Sequence, residues 1–324
     1  MIKNDNYTLN FKEFKEKYPQ YEHISDEWFE WFIGFFEADG SFEIGRNLSL
    51  VITQYELNKD ILEEIQETLC IGRVNIQTKH IVPGKLWTYK FIVNDFKGQL
   101  ILLELFKNNL VFPYRLKRYN HFISIFNEKL KRKRIKLDHT CDIYVGAPPA
   151  HLLGQGDNIY YLPAPVPYVK ETVYPSKKDA WLSGFMDGDG CFYTSFTEKH
   201  ELIGSISFFN KHESSLPLFK HIKDEIFDGE GNITIRNKLL TYDTRSLKKG
   251  LPLVCDYFDR FNLKTTKIYD YLILIHVLKK YENWENLNEK EIYQVISLIK
   301  RTQYKQKKRD WKNVLKSVNH RFTY

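Results

Sequence analysis

From Ser41 to Ile44 and from Leu48 to Gln54 apolar and polar residues alternate, around a turn at Gly45-Arg46-Asn47. That period of two predicts an antiparallel strand pair with one buried face. The spacing then changes: Ile61, Leu62, Ile65 and Leu69 share one face of a predicted helix over Asn58–Cys70. A second strand pair, Arg73–Lys79 and Leu86–Val93, flanks Pro83-Gly84, and helices are predicted over Asp95–Phe106 and Tyr114–Lys131. The scheme then recurs. Strands over Cys191–Thr197 and Ser205–Phe209 are followed by a helix over Leu216–Phe227. Strands over Asn232–Lys238 and Leu240–Arg245 precede a helix over Lys267–Tyr281, and a further helical segment runs from Glu289 to Leu315. The expected fold class is α+β, with two pseudo-symmetric αββαββα domains. Residues 1–144 form the first domain, and residues 176–324 form the second with its C-terminal extension. A linker at 145–175, rich in Pro and Gly and extended in character, joins them.

Each half opens on the same apolar run. Trp31-Phe32-Ile33-Gly34-Phe35-Phe36-Glu37-Ala38-Asp39-Gly40 is echoed 150 positions later by Trp181-Leu182-Ser183-Gly184-Phe185-Met186-Asp187-Gly188-Asp189-Gly190. Both runs predict a helix that stops at a glycine just past its last turn. Gly34 and Ala38 lie four apart, as do Gly184 and Gly188, so each helix has a ridge almost without side chains. Such ridges let two helices meet backbone to backbone, and the two copies are expected to pack on each other. The last turn of each carries two acids, where a helix end favours cations. Brought together, the four acids would resist joint ionisation. A hard divalent cation such as Mg²⁺ would relieve that conflict. The plainer alternative is that these acids cap turns or face water, which fits a single copy better than two in register.

Residues 32–40 and 182–190 resemble the two namesake motifs of the LAGLIDADG homing endonucleases, in the single-chain, two-motif form. The likeness lies in Gly-aromatic-x-acid-small-acid-Gly, occurring twice. The opening letters, Phe32-Ile33 and Leu182-Ser183, depart from the family pattern in ways that bear on packing and leave the acids intact. The resemblance implies a four-stranded antiparallel, saddle-shaped sheet in each domain, backed by helices, with the domains packed through the motif helices. It implies that Asp39 and Asp189 are the catalytic, metal-binding acids, with the carbonyls of Ala38 and Gly188 as further ligands. Gln54 and Asn210 would flank them. Lys264 and Lys267, with Lys117 as the first-half counterpart (or Arg118 beside it), would stabilise the phosphorane charge or contact phosphates. The implied cofactor is Mg²⁺, with Mn²⁺ able to substitute and Ca²⁺ supporting binding without cleavage. The implied activity is a double-strand break in a long asymmetric DNA target, made by a monomer and promoting intron or mobile-element insertion. The same fold also serves intron RNA maturases, so host intron RNA is the alternative partner.

Composition adds bounds. The 48 basic residues and net charge of +7 suit a polyanionic partner. The 21 Tyr and 23 Phe supply planar groups for a core or for nucleic acid. Cys70, Cys141, Cys191 and Cys255 have no zinc spacing, and reduced thiols are expected. No apolar run reaches membrane-spanning length. The segment Met1–Tyr18 mixes acids and lysines and reads as neither signal nor transit peptide. Lys, Asn, Ile, Tyr and Phe are plentiful and have A/T-rich codons; with the resemblance, this gives the expectation of a mitochondrial, organelle-encoded protein. The run Lys129-Leu130-Lys131-Arg132-Lys133-Arg134 fits a solvated helix end and a phosphate contact equally.

Strand alternation sorts inward from outward residues. In the first half the outward set is Ser41, Glu43, Asn47, Ser49 and Thr53, with Val51 on the same face and Arg46 in the turn, then Arg73, Asn75, Gln77, Thr88 and Lys90. In the second half it is Tyr193, Ser195, Thr197, Ser205 and Ser207, then Asn232, Thr234, Arg236, Asp243 and Arg245. Amides, hydroxyls and a few charges are the groups that read base edges, and the two sets are expected to contact DNA. They differ, which implies an asymmetric target.

Overall fold

A computed structural model of the protein describes residues 8–77, 87–131, 135–136, 160–161, 165–196, 202–245, 250–280, 288 and 290. The first described element is a short helix, α1 (Lys12–Lys17), that the polar average of the N-terminus hid. Phe11, Phe14, Tyr18 and Tyr21 recur at helical spacing and are all buried against the core. Ser25 then caps α2 (Asp26–Asp39), its hydroxyl accepting from Trp28 N at 3.2 Å, with Asp26 and Glu27 in the first turn.

Helix α2 runs straight into β1 (Gly40–Ile44), which pairs with β2 (Leu48–Tyr55). After α3 (Lys59–Leu69), β3 (Arg73–Ile76) pairs with β4 (Thr88–Val93), and β4 in turn pairs with β2. The first sheet is therefore antiparallel in the order β1-β2-β4-β3. Helices α4 (Phe96–Phe106) and α5 (Pro113–Leu130) follow, α4 capped by Asp95 and α5 opened by a proline in its first turn. A two-residue pairing joins β5 (Ile135–Lys136), at the end of the expected first domain, to β6 (Tyr160–Tyr161) in the expected linker. Val166 and Val169 beyond it are pinned to α5 by the amides of Asn127 and Asn120.

The second half repeats the plan. Helix α6 (Trp181–Asp189) runs into β7 (Gly190–Phe196), which pairs with β8 (Leu202–Asn210). Helix α7 (Leu216–His221) continues as one wider, π-type turn, and β9 (Asn232–Arg236) and β10 (Leu239–Thr244) complete a sheet ordered β7-β8-β10-β9. The β9 strand ends two residues before Lys238, because Asn237 and Lys238 both take positive φ (49° and 64°) and make the tight hairpin turn. Helices α8 (Gly250–Arg260) and α9 (Lys267–Lys280) follow. The sequence reading lacked α8. Its buried face, Leu251, Val254 and Phe258, was obscured by Pro252, which is tolerated in a first turn. Thr197, the basic run beyond Lys131, Cys141 and, apart from residue 290, the 289–315 segment lie outside the described residues.

Phe42, Leu50, Ile52, Phe91 and Val93 of the first sheet and Phe192, Ile206, Phe208, Leu240 and Tyr242 of the second are buried under the helices. The helices cover one face of each sheet and leave the other open. Between the halves, α2 and α6 cross in backbone contact. A Cβ on Gly34 would fall 2.0 Å from Trp181 O, and one on Gly184 would fall 1.8 Å from Trp31 O. Only glycine permits that approach. The terminal glycines stop their helices as expected, and without a left-handed turn. Gly40 and Gly190 are extended (φ −78° and −85°), and a Cβ there would strike the preceding helical turn at Phe36 or Met186.

Candidate active site

The four acids at the ends of α2 and α6 divide into two kinds. Glu37 and Asp187 are buried and turned away from solvent. Glu37 accepts from the amides of Val111 and Phe112 at 2.8–3.1 Å, and from Trp181 Nε1 of the other half at 2.8 Å. Asp187 mirrors it, accepting from Lys264 N, Thr265 N and Thr265 Oγ1, and from Trp31 Nε1 at 2.8 Å. Burial raises both carboxyls, Glu37 to about 7, against the lowering effect of these donors. The two indole bonds cross the helix pair in opposite directions, so these acids tie the halves together.

The negative helix ends receive cations from the first turns of α5 and α9. Arg115 spans three carbonyls, donating to Glu37 O at 2.7 Å, Gly40 O at 2.6 Å and Ala38 O at 2.9 Å. Lys267 Nζ donates to Met186 O at 3.0 Å and to Gly188 O. Both contacts oppose the macrodipole and the acids that sequence reading found misplaced.

Asp39 and Asp189 end the two crossing helices, half-buried. The position of a Cβ on Gly188 is 3.2 Å from Asp39 Oδ2, so the first acid abuts the backbone that leads to the second. Burial is the main cause raising both carboxyls. Asp39 is opposed by Lys267, Gln54 and Arg115. Asp189 reaches about 6, pushed further by the Asp39 charge and opposed by Lys267, Arg115 and Lys211. Lys267 is lowered by burial and held up by Asp39, Asp187 and Asp189. Gln54 Nε2 donates to Asp39 Oδ2 at 2.5 Å. Its Oε1 accepts from Asn58, whose own Oδ1 accepts from Thr266 N across the halves.

These donors suit a hard cation. Among the described residues no three His, Cys, Asp or Glu side chains converge as a closed metal cage. Mg²⁺ is commonly held by one or two carboxylates together with waters and substrate phosphates, and two half-exposed aspartates match that pattern. The carbonyls of Ala38 and Gly188 already accept from Arg115 and Lys267, so each could give a metal only its second lone pair.

A family model, "LAGLIDADG endonuclease", matches residues 32–126 and 182–278. The chain belongs to the LAGLIDADG endonuclease family. A relative in Neurospora crassa, "Probable intron-encoded endonuclease 4", is 25% identical over 278 residues, which is 82% of this chain and 43% of that protein. The chain thus spans less than half the length of that relative. Among solved structures, the LAGLIDADG homing endonuclease I-GzeII in complex with its DNA target superposes with a TM-score of 0.63 at 20% identity. That alignment covers 86% of this chain and 99% of that one. I-SmaMI bound to uncleaved DNA in the presence of calcium ions gives 0.62 at 18% identity, over 86% and 99%. The fold is shared with both: two four-stranded antiparallel sheets backed by helices, in one chain.

Not every residue carried over from the LAGLIDADG pattern lies at the acids. Asp39, Asp189, Gln54 and Lys267 are brought together. Lys264 is not, because its Nζ pairs with Glu64 at 2.6 Å and sits 5.3 Å over the Trp31 ring, while only its backbone amide reaches Asp187. Lys117 is exposed and lines a cavity of about 600 Å³ with Lys170 and Glu171. The reason is register. Residues two apart on a helix do not share a face, and Arg115, which sequence reading missed, holds the inward position. Arg118 donates to Phe42 O instead. Aligning the amides on Glu37 with those on Asp187 places Tyr114 where the second half has Lys267. The Tyr114 hydroxyl donates to Glu37 O at 3.2 Å and lies against Asn210, and its ring stacks on His212 at 4.1 Å. Asn210 accepts from His212 N and Ser215 Oγ. Among the described residues none hydrogen-bonds to the Asp189 carboxylate, so the two acids have unequal surroundings.

The strand registers place the predicted DNA-facing residues on the open faces. In the first sheet Ser41 lies opposite Val51, then Ile92 and Arg73; Glu43 lies opposite Ser49, and Thr53 opposite Lys90 and Asn75. Gln77 follows β3, its backbone N–H donating to Thr88 O, and Arg46 and Asn47 are exposed in the β1–β2 turn. In the second sheet Tyr193 lies opposite Ser205 and Ser195 opposite Ile203, with Ser207 opposite Asp243 and Asn232. Thr234 and Arg236 continue along β9 on that face, and Arg245 pairs with Asp243 at 3.0 Å. Alternation also puts Phe209 and Thr241 there, which sequence reading did not include.

Proposed function

We propose that the protein is a site-specific homing endonuclease that makes a double-strand break in a long asymmetric DNA target by Mg²⁺-dependent phosphodiester hydrolysis. The observation that carries this reading is that Asp39 and Asp189 end the two crossing helices α2 and α6 within each other's field. Each acid leads directly into a sheet whose outer face is largely polar. Mg²⁺, when bound, polarises the scissile phosphate and lowers the pKa of the attacking water. Asp39 and Asp189 would hold it, one for each strand. Gln54 fixes the orientation of the Asp39 carboxylate through Oδ2. Lys267, within the field of both acids, would stabilise charge gathering on the phosphate oxygens. Two motifs in one chain supply both acids, so a monomer suffices. The chain's role would be insertion of an intron or mobile element, in a mitochondrial setting.

The test is cleavage of duplex DNA spanning the uninterrupted insertion site, in Mg²⁺, Mn²⁺ and Ca²⁺, with Asp39→Asn and Asp189→Asn alongside. Double-strand cutting in Mg²⁺ or Mn²⁺ but not Ca²⁺, lost in either variant while binding survives, is expected. Tight binding to host intron RNA with no DNA cutting in any metal would refute the nuclease and point to a maturase.

A further inference from the structure

The two open sheet faces are not equivalent at matching positions. Setting Asp39 against Asp189 and Gln54 against Asn210 puts Glu43 opposite Tyr193 and Thr53 opposite Phe209 in the scheme. Read across the sheets, the row nearest the acids is Thr53-Lys90-Asn75 in the first half and Phe209-Thr241-Thr234 in the second. The first row offers an ammonium and an amide, which hydrogen-bond to guanine and adenine edges. The second offers an aromatic ring and two threonine methyls. Phe209 is 42% exposed and Tyr193, further out along the same face, is 43% exposed. Their neighbours Phe208 and Phe192 point the other way, into the core. Large rings left in water on a largely polar face mark a contact surface; the first sheet carries a comparable ring, Tyr55, 63% exposed, only in the next row past Thr53. This surface is continuous with the candidate active site on a chain of net charge +7.

We infer that the second domain recognises A·T pairs beside the cleavage centre through the thymine C5 methyl, using Phe209, Thr241 and Thr234, with Tyr193 doing the same further out. That methyl is the apolar group a base pair displays in the major groove, and Phe and Thr are among the side chains that pack on it. The first domain reads the corresponding positions by hydrogen bonds from Lys90 and Asn75. The inference rests on the endonuclease reading for its ligand, since it needs duplex DNA on both faces.

A bound duplex is first selected from a randomised library in Ca²⁺. Its thymidines are then replaced by deoxyuridine one half-site at a time, which removes the methyl and keeps every hydrogen-bonding group. Affinity is expected to fall about fourfold per contacted methyl in one half-site and to be unchanged in the other. In Phe209→Ala, exposed and outside the core, the central part of that sensitivity should vanish. Equal sensitivity in both half-sites, none in either, a selected centre without A·T pairs, or a loss that persists in Phe209→Ala overturns the inference while leaving the endonuclease reading standing. Failure to select any duplex overturns both.

Discussion

Replacing Asp189 with Asn should stabilise the protein while abolishing its proposed chemistry. Burial, and then the neighbouring Asp39 charge, raise the Asp189 carboxyl from 3.8 to about 6. A carboxyl whose pKa is higher folded than unfolded binds more protons in the folded state, so stability declines as pH rises between those two values and stays lower above them. Two pKa units correspond to about 3 kcal/mol. Solvent reaches part of the carboxylate, which brings the expected cost of ionisation to about 1–3 kcal/mol. The neutral amide of the variant would carry no such cost. In urea denaturation of DNA-free protein with a chelator, Asp189→Asn should exceed wild type by about 1–3 kcal/mol at pH 8, a margin that disappears near pH 4. Adding Mg²⁺ at pH 8 should stabilise wild type more than the variant, because binding to the folded state alone shifts the equilibrium. A gain of equal size at both pH values, or a loss at pH 8, would refute the claim that the acid is held at an electrostatic cost.

Gly184→Ala would place a Cβ 1.8 Å from Trp31 O and force the motif helices apart. It should cost about 1–3 kcal/mol or more in thermal denaturation and reduce cleavage, because the acids end those same helices. Trp181→Phe would strip Glu37 of its indole donor inside the core and should cost about 1–3 kcal/mol; Trp31→Phe should do the same to Asp187. In single-turnover cleavage Lys267→Ala should be far slower than wild type, whereas Lys264→Ala, whose ammonium is committed to Glu64, should remain within a few-fold. Cleavage rate should also drop as pH falls below about 6, where Asp189 gains its proton and loses its hold on a cation. A flat profile from pH 8 to pH 5 would contradict that.

The sequence alone determined much of this protein. Period-two alternation and helical spacing are local properties, and they placed most strands and helices and the inward or outward face of many strand residues. The repeated Gly-aromatic-x-acid-small-acid-Gly run marked Asp39 and Asp189 and the close packing of the helices that carry them. What escaped were features set by long-range register. The family resemblance pointed to Lys117 near the start of α5, yet helix phase turns Arg115 toward the carbonyls of Glu37, Ala38 and Gly40. Lys264 looked like a partner of the acids, but Glu64, 200 residues earlier, captures it. The crossed indole bonds of Trp31 and Trp181 join residues 156 and 144 positions apart, and nothing local foretells them. A side chain's chemical type is written in the sequence. Which groups it meets depends on how two distant halves are docked, and only the tertiary structure sets that.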